Sequence, residues 1–247
     1  MESDLPRVSV VVPVFNDATR LPALVESLRA QEYPADRVEI MLVDNGSTDG
    51  SLELIRRFED VTALSQTDVQ GPAPTRNAGI RAAQGDLLAF LDSDCRAGAQ
   101  WLSAGVAALR ERGAEMAAGR IRLSLSDRPN LYEIYDAQFN MQQVSFVEQG
   151  WAVTANLFVR RQVFDRIGLF DPALYSFEDK EFGLRATRAG FRLVYAEEAV
   201  AHHDTRKTLK ALVLKWIRTE YGAGQAYRSH GEAELQLWKK KANWRPL

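Results

Sequence analysis

Continuous apolar runs alternate along the first half of the chain with stretches whose apolar residues recur every three or four positions. "VSVVVPVFN" (8–16) is a β-branched run closing on proline and asparagine, the pattern of a strand covered on both faces. The next segment carries Leu21, Leu24, Val25 and Leu28, the i, i+3, i+4, i+7 spacing of an amphipathic helix. "VEIMLVDNGSTDG" repeats the arrangement: a strand to Val43, a polar turn, then a helix through Leu54, Ile55 and Phe58. "TRNAGIRAAQGD" reads as a short helix, "LLAFL" as a further buried strand, and 101–112 as another helix. Strands and helices alternating at this spacing predict βαβ units and a parallel sheet, hence an α/β fold with helices on the sheet faces.

After Gly113 the pattern loosens. "RIRLSLS" alternates like a half-exposed strand, and 127–150 has no clean period. "TANLFVRRQVFDRIGLFD" restores order, "FEDKEFGLRATRAG" predicts a helix stopping at Gly190, and "FRLVYAEEAVAHH" has strand character. From Thr205 on, the chain reads as helical, with aromatics among lysines. There is no internal repeat and no low-complexity linker. A nucleotide-type first half is fused to a substrate-type second half.

Composition narrows the setting. The 247 residues are 46% hydrophobic, enough for a substantial core, and the formal net charge of −2 gives no general case for nucleic acid. The charge is uneven. Residues 206–247 hold ten Lys/Arg against three Asp/Glu, leaving an acidic body with a basic tail that suits an anionic partner. In that tail Leu209, Leu212, Val213, Trp216 and Ile217 are interleaved with Lys207, Lys210, Lys215 and Arg218. That pattern suits a helix packed on the body, or a peripheral membrane contact. The one cysteine, Cys95, fits a reducing compartment, and the acidic start lacks an apolar leader. The expectation is a cytoplasmic protein, peripheral at the inner face of the membrane if the tail meets lipid.

Chemistry gathers at predicted strand ends. Neither GxGxxG nor GxxxxGK[ST] occurs, so phosphate binding falls to a metal, to the Arg76 region, or to both. In "LLAFLDSDCR" two carboxylates, Asp92 and Asp94, leave a buried strand at its C-terminal edge, where open α/β sheets bind ligands. Hard carboxylate oxygens there suit Mg²⁺ or Mn²⁺.

"VSVVVPVFN", "LVDNGSTDG", "RNAGI", "LAFLDSDCR", "ANLFVRR" with "IGLFD", and "FEDKEFGLRATRAGF" stand in the order and rough spacing seen in family 2 glycosyltransferases of the GT-A fold. The resemblance covers residues 8 to about 203. It implies a GT-A catalytic domain over 1–204, with a nucleotide-binding half about 1–112 and an acceptor half about 113–204, and a basic helical extension over 205–247. It implies inverting transfer of a sugar from a nucleotide-diphosphate donor, usually UDP-linked, to an acceptor hydroxyl, with Mn²⁺ or Mg²⁺ as cofactor. Residue by residue, it implies that Pro13, Phe15 and Asn16 line the nucleotide pocket and that Asp44 holds base or ribose. Arg76 lies near the phosphates, Asp92 faces the ribose, Ser93 joins the nucleotide-sugar-binding set, and Asp94 binds metal. Asn156, with Arg160 and Arg161, shapes the donor-sugar and acceptor side. Asp179 is the usual general base, with Glu178 competing for that role, and His202 completes the metal site. The doubled His202–His203 leaves that ligand open. Trp151 is a guess for stacking on a sugar, and Asp44 would also serve as a helix cap. Glu181 and Ala97 depart from the usual Asp and Pro. Two other readings are a catalytically silent nucleotide-sugar binding module, against which an intact base and DxD argue, and a nucleotidyltransferase, whose glycine-rich basic signature is missing from "PVFNDATRLPAL".

Overall fold

The computed structural model describes residues 5–230. Strands β1 (Val8–Val14), β2 (Val38–Asp44), β3 (Val61–Ser65) and β4 (Leu87–Leu91) run parallel in the spatial order β3-β2-β1-β4. Between them lie α1 (Leu21–Arg29), α2 (Ser51–Ile55) and α3 (Pro72–Ala82). The unbroken apolar runs are buried on both faces, as their pattern requires. Val10 and Val12 pack with Leu24 and Leu28 of α1, while Val11 packs on the other face with Met41 and Phe90. Helix α2 is shorter than its period predicts and stops at Ile55, leaving Phe58 past its end to pack on the core from a turn.

Beyond β4 the sheet continues through β7 (Asn156–Arg160), β6 (Met116–Ser124), β8 (Leu193–Asp204) and the short β5 (Cys95–Ala97). β7 is antiparallel to β4 and β6, β6 and β8 are parallel, and β5 is antiparallel to β8. Six strands thus share one direction and two reverse it, so the sheet is mostly parallel. Helices α4 (Trp101–Glu111), α7 (Arg161–Ile167) and α8 (Glu178–Arg188) pack against this half.

The unpatterned 127–150 stretch folds into α5 (Leu131–Phe139) and α6 (Gln143–Glu148). A capping box starts α5: the Asn130 side chain accepts from the Glu133 N–H, and Glu133 reaches back to the Asn130 N–H. The apolar period is unreadable here because α5 is turned over. Its buried residues are Glu133 and Asp136, while Leu131, Ile134 and Phe139 are exposed. Helix α9 (Leu209–His230) follows β8, buries Leu212 and Ala226, and leaves Leu214, Trp216 and Ile217 exposed. The expected extension past residue 230 lies outside the described residues. Among the described residues no helix is long and apolar enough to cross a membrane.

The second half is fastened to the first by aromatic packing. Trp101 and Phe158 approach with ring centroids 5.0 Å apart, and Gly105 of α4 lies on the Phe158 ring, where an added Cβ would meet Cζ at 2.4 Å. Gly105→Ala gains up to about 1 kcal/mol in helix propensity. Overpacking of this kind costs roughly 1–3 kcal/mol. The expected outcome is a lower urea midpoint with an unchanged m-value. A raised midpoint would mean that Phe158 yields freely.

Candidate active site

The C-terminal ends of β1 and β4 open into a cavity of about 650 Å³, completed by residues from the loop before β7, the start of α8 and the end of β8. Pro13, Phe15, Asn16, Arg76, Asp92, Ser93, Asp94, Trp151, Glu178 and Asp179 all line it. Five separated sequence segments therefore meet in one space.

Arg76 is the centre of this cavity. Helix α3 carries it, 4% exposed, between two carboxylates: Nη2 donates to Asp92 Oδ1 at 2.7 Å and Nη1 to Glu178 Oε1 at 2.8 Å. Its Nε has no hydrogen-bond partner among the described residues. Burial works against the charged guanidinium, and Asp92, Glu178 and Asp179 together outweigh it, so its pKa rises. One cation here faces three carboxylates. Burial first and Asp179 second push the Glu178 carboxyl up to about 7, although Arg76 pulls it down. Burial likewise raises Asp179, opposed by Arg76 and by N–H donation from Lys180, at 2.7 Å, and from Thr154. The turn that delivers the pair is strained: Phe177, immediately before α8, sits at φ 77°, where a bulky side chain costs of order 1–2 kcal/mol.

The second carboxylate of the DxD has a different partner. β5 begins at Cys95 and pairs Cys95 with His203 of β8, which brings His203 Nε2 to 3.3 Å from Asp94 Oδ1. The other ring nitrogen, Nδ1, lies 2.7 Å from the Asp204 carbonyl. A donor hydrogen bond there puts a proton on Nδ1 and leaves Nε2 as the ring atom that faces Asp94. Burial raises the Asp94 carboxyl, as does Asp92, against the pull of His203. Asp94, Cys95 and His203 offer ligand atoms within 4.8 Å of one another. The Cys95 thiol is fully buried and pushed well up, so it stays protonated, and the usable set is one carboxylate and one imidazole. That set fits a hard or borderline divalent cation.

Several expected site residues lie elsewhere. His202 is paired in register with Arg96 and does not line the cavity; His203 takes its place. Asn156 is fully buried with its amide consumed: Oδ1 accepts from Trp101 Nε1 at 2.8 Å and Nδ2 donates to the Arg120 and Ala199 carbonyls. It ties β7 to β6 and β8. Arg160 and Arg161 sit at the far end of the sheet, where they hold the carbonyls of Ala114, and of Gly85 and Ala83. Asp44 is buried and accepts the Gly46 and Ser47 N–H groups, shaping the turn after β2, while its neighbour Asn45 reaches the cavity. Helix α2 takes its N-terminal acceptor from Asp49 instead. Trp151 stacks on Phe146, with ring centroids 4.1 Å apart, and Lys180 Nζ stands 5.2 Å from its ring.

Other residues in the cavity were not anticipated. Asp17 is buried and accepts from Ser93 Oγ and Arg20. Its position directly after "PVFN" at a strand end was a usable signal. Thr154, Asn140, Arg206, Lys215 and Arg218 also line the cavity, but their elements carry no local pattern that aims them there.

Removing Arg76 strands buried carboxylates, a change that costs about 3–5 kcal/mol. Arg76→Met is expected to lose that much at pH 7.5. Without the guanidinium the folded-state pKa of Glu178 rises further above its ordinary value of 4.5. A carboxyl raised on folding loses stability as pH rises from the unfolded value through the folded one. The deficit should therefore shrink toward pH 5, and urea melts at both pH values read it directly. A deficit independent of pH would show that packing, not charge, is what Arg76 supplies.

Comparison with known proteins identifies the family and the fold. The model of glycosyl transferase family 2 matches residues 9–168. Glycosyltransferase AglE of Haloferax volcanii is 34% identical over 243 residues, covering 96% of this chain and 76% of that protein. The pre-mycofactocin glycosyltransferase of Mycobacterium tuberculosis is 30% identical over 231 residues, 89% of this chain but 47% of that protein. Among solved structures, the mannosyltransferase PcManGT from Pyrobaculum calidifontis, in complex with GDP-Man and Mn²⁺, superposes with a TM-score of 0.67 at 23% identity over 88% of this chain and 61% of that one. S. aureus TarS 1–349 in complex with UDP-GlcNAc gives 0.63 at 20% identity, over 82% and 59%. At these identities the superpositions establish the GT-A fold. From the family model and the match to AglE, the chain belongs to glycosyl transferase family 2.

Proposed function

We propose that the cavity transfers a sugar from a nucleoside diphosphate sugar to an acceptor hydroxyl with inversion, and that it does so with a divalent cation. The observation that carries this reading is the meeting, in one cavity, of the Asp94–His203 pair with the buried, proton-affine Glu178–Asp179 pair. The nucleotide lies over Pro13, Phe15, Asn16 and Asn45, along the ends of β1 and β2. Arg76 holds Asp92 in place and offers its unfilled Nε–H to a polar group of the donor. Asp94 and His203 would hold the cation, which when bound supplies charge neutralisation for a departing diphosphate.

Asp179 accepts the proton of the acceptor hydroxyl. The acceptor oxygen forms its bond to the anomeric carbon as the bond from that carbon to the diphosphate oxygen breaks on the opposite face. The nucleoside diphosphate leaves with the electron pair. Glu178 is pinned by Arg76 beside Asp179, burial raises both carboxyls, and the two titrate as a pair.

Three outcomes are expected. Asp179→Asn keeps nucleotide affinity and loses transfer by about 10²–10⁴-fold. The acid limb of the kcat profile lies above the usual carboxylate range, because burial raises both carboxyls, and it moves in Glu178→Gln, because the two titrate as a pair. A dead Glu178→Gln beside a normal Asp179→Asn would exchange the two roles. In calorimetric titrations of UDP and GDP, Asp94→Ala and His203→Ala lose the enhancement by Mn²⁺, roughly tenfold or more in Kd, while His202→Ala keeps it. Equal loss in both histidine variants would contradict the assignment.

A further inference from the structure

The cavity does not end at the site just described. Tyr175, Arg206, Lys215 and Arg218 line it and also line a second groove along the outer face of α9, of about 770 Å³. The walls of that groove are apolar and unusually bare: Leu214, Ile217, Tyr175 and Tyr221 are each about half exposed or more. Apolar exposure concentrated in a concave surface marks a binding site more often than an ordinary surface.

The junction between cavity and groove is cationic. Arg206 Nη1 and Lys215 Nζ share one buried carboxylate, Asp136, at 3.3 and 3.9 Å, and Arg218 makes no ion pair among the described residues. These three basic side chains gather around Asp136, with Asp94 the other carboxylate that acts on Lys215. Burial first, then Arg206 and Arg218, depress the Lys215 ammonium to about 7 against the pull of Asp136 and Asp94, so a bound anion would favour its charged form. A ligand that complements the surface carries an anionic group between a polar portion and a long apolar portion.

We propose that the α9 groove binds the apolar chain of a phosphate-linked glycolipid acceptor, with its phosphate at Arg206, Lys215 and Arg218 and its sugar hydroxyl reaching the Glu178–Asp179 end of the cavity. The inference rests on the transferase reading for the direction of the sugar, and it names the acceptor class which that reading leaves open. The phosphate sits where cavity and groove join, so the same three side chains that neutralise it also orient the chain outward and the sugar inward. Charge-assisted contacts from two guanidinium groups and one ammonium suit a phosphate better than a neutral head.

The test uses the full chain and three probes below their micelle concentrations: dodecyl phosphate, dodecyl maltoside and inorganic phosphate. Calorimetry should find dodecyl phosphate tighter than either of the others by about tenfold or more. Arg218→Gln, at an exposed position, should cut the dodecyl phosphate affinity at least about fivefold and leave dodecyl maltoside unchanged. Ile217→Ser should weaken both. Neither variant should alter Mn²⁺-dependent nucleotide binding or the melting temperature by more than a small amount. Equal affinity for the phosphate and maltoside probes, or indifference to Arg218→Gln, overturns the proposal. So does binding to anionic vesicles without binding to monomeric dodecyl phosphate, which would assign the face to a bilayer surface. A wild-type chain that binds dodecyl phosphate but no nucleotide would sink the transferase reading and leave the groove standing.

Discussion

The guanidinium of Arg76 joins three distant parts of the chain at one buried point. It sits on α3 in the nucleotide half, pairs with Asp92 at the end of β4, and reaches Glu178 at the start of α8, more than a hundred residues further on. Each of these groups is expensive alone. A buried arginine and buried carboxylates tolerate desolvation only as a set. The set is left deliberately short of positive charge, because Asp179 stands beside it and Asp94 is close. Burial first, and the Asp179 charge second, keep Glu178 at about 7 rather than near 4.5, with Arg76 pulling the other way. A second fixed cation at this point would stabilise the fold and weaken the base.

The placement of His203 beside Asp94 depends on a backbone irregularity. β6 and β8 run in parallel register up to Gly119 opposite Ala196, and the pairing resumes with Arg120 opposite Val200. β8 therefore carries three extra residues at this step. An odd insertion flips every later side chain to the other face. Burial along β8 shows the flip: Val194 and Ala196 are inward before it, Ala199, Ala201 and His203 after it. Unbroken alternation would have turned His202 inward. The carbonyl of Ala199, within the inserted segment, is satisfied by Asn156 Nδ2, and Gly119 makes the approach feasible, since a Cβ there would stand 2.3 Å from Asn156 Oδ1. Asn156 thus acts on the site from a distance, by holding the bulge that selects the histidine.

Much of the fold was legible because its first half follows simple rules. The β-branched runs of β1, β2 and β4 and the Leu21–Leu28 stripe of α1 are buried where their periods say. The site residues carried on those strand ends, Phe15, Asn16, Asp92 and Asp94, meet in the cavity for the same reason. What failed to show in the sequence depends on long-range pairing. The choice between His202 and His203 is set by the bulge, and the core role of Asn156 is set by Trp101 and the β6–β8 step. Arg160 and Arg161 follow "ANLFV", but β7 runs antiparallel, so its C-terminal end points away from the cavity that the other strand ends share. A motif's residue order does not reveal strand direction, and direction decides which end is functional.

The turned-over helix α5 accounts for the remaining features together. Asp136 is fully buried on α5, and a buried carboxylate requires cations. It takes them from Arg206, through both backbone N–H and guanidinium, and from Lys215 of α9. The same rotation that sends Asp136 inward sends Leu131, Ile134 and Phe139 outward, beside Trp216, whose ring packs edge-on against Tyr135 at 5.8 Å. An apolar exterior and a cationic junction are therefore not separate accidents of composition. One carboxylate on the inner face of α5 anchors α9, fixes two of the three cations where the cavity meets the groove, and leaves Leu131, Ile134 and Phe139 of α5 and Leu214, Trp216 and Ile217 of α9 facing solvent. A helix selected only for stability would bury its leucines and expose its aspartate, and this one does the reverse.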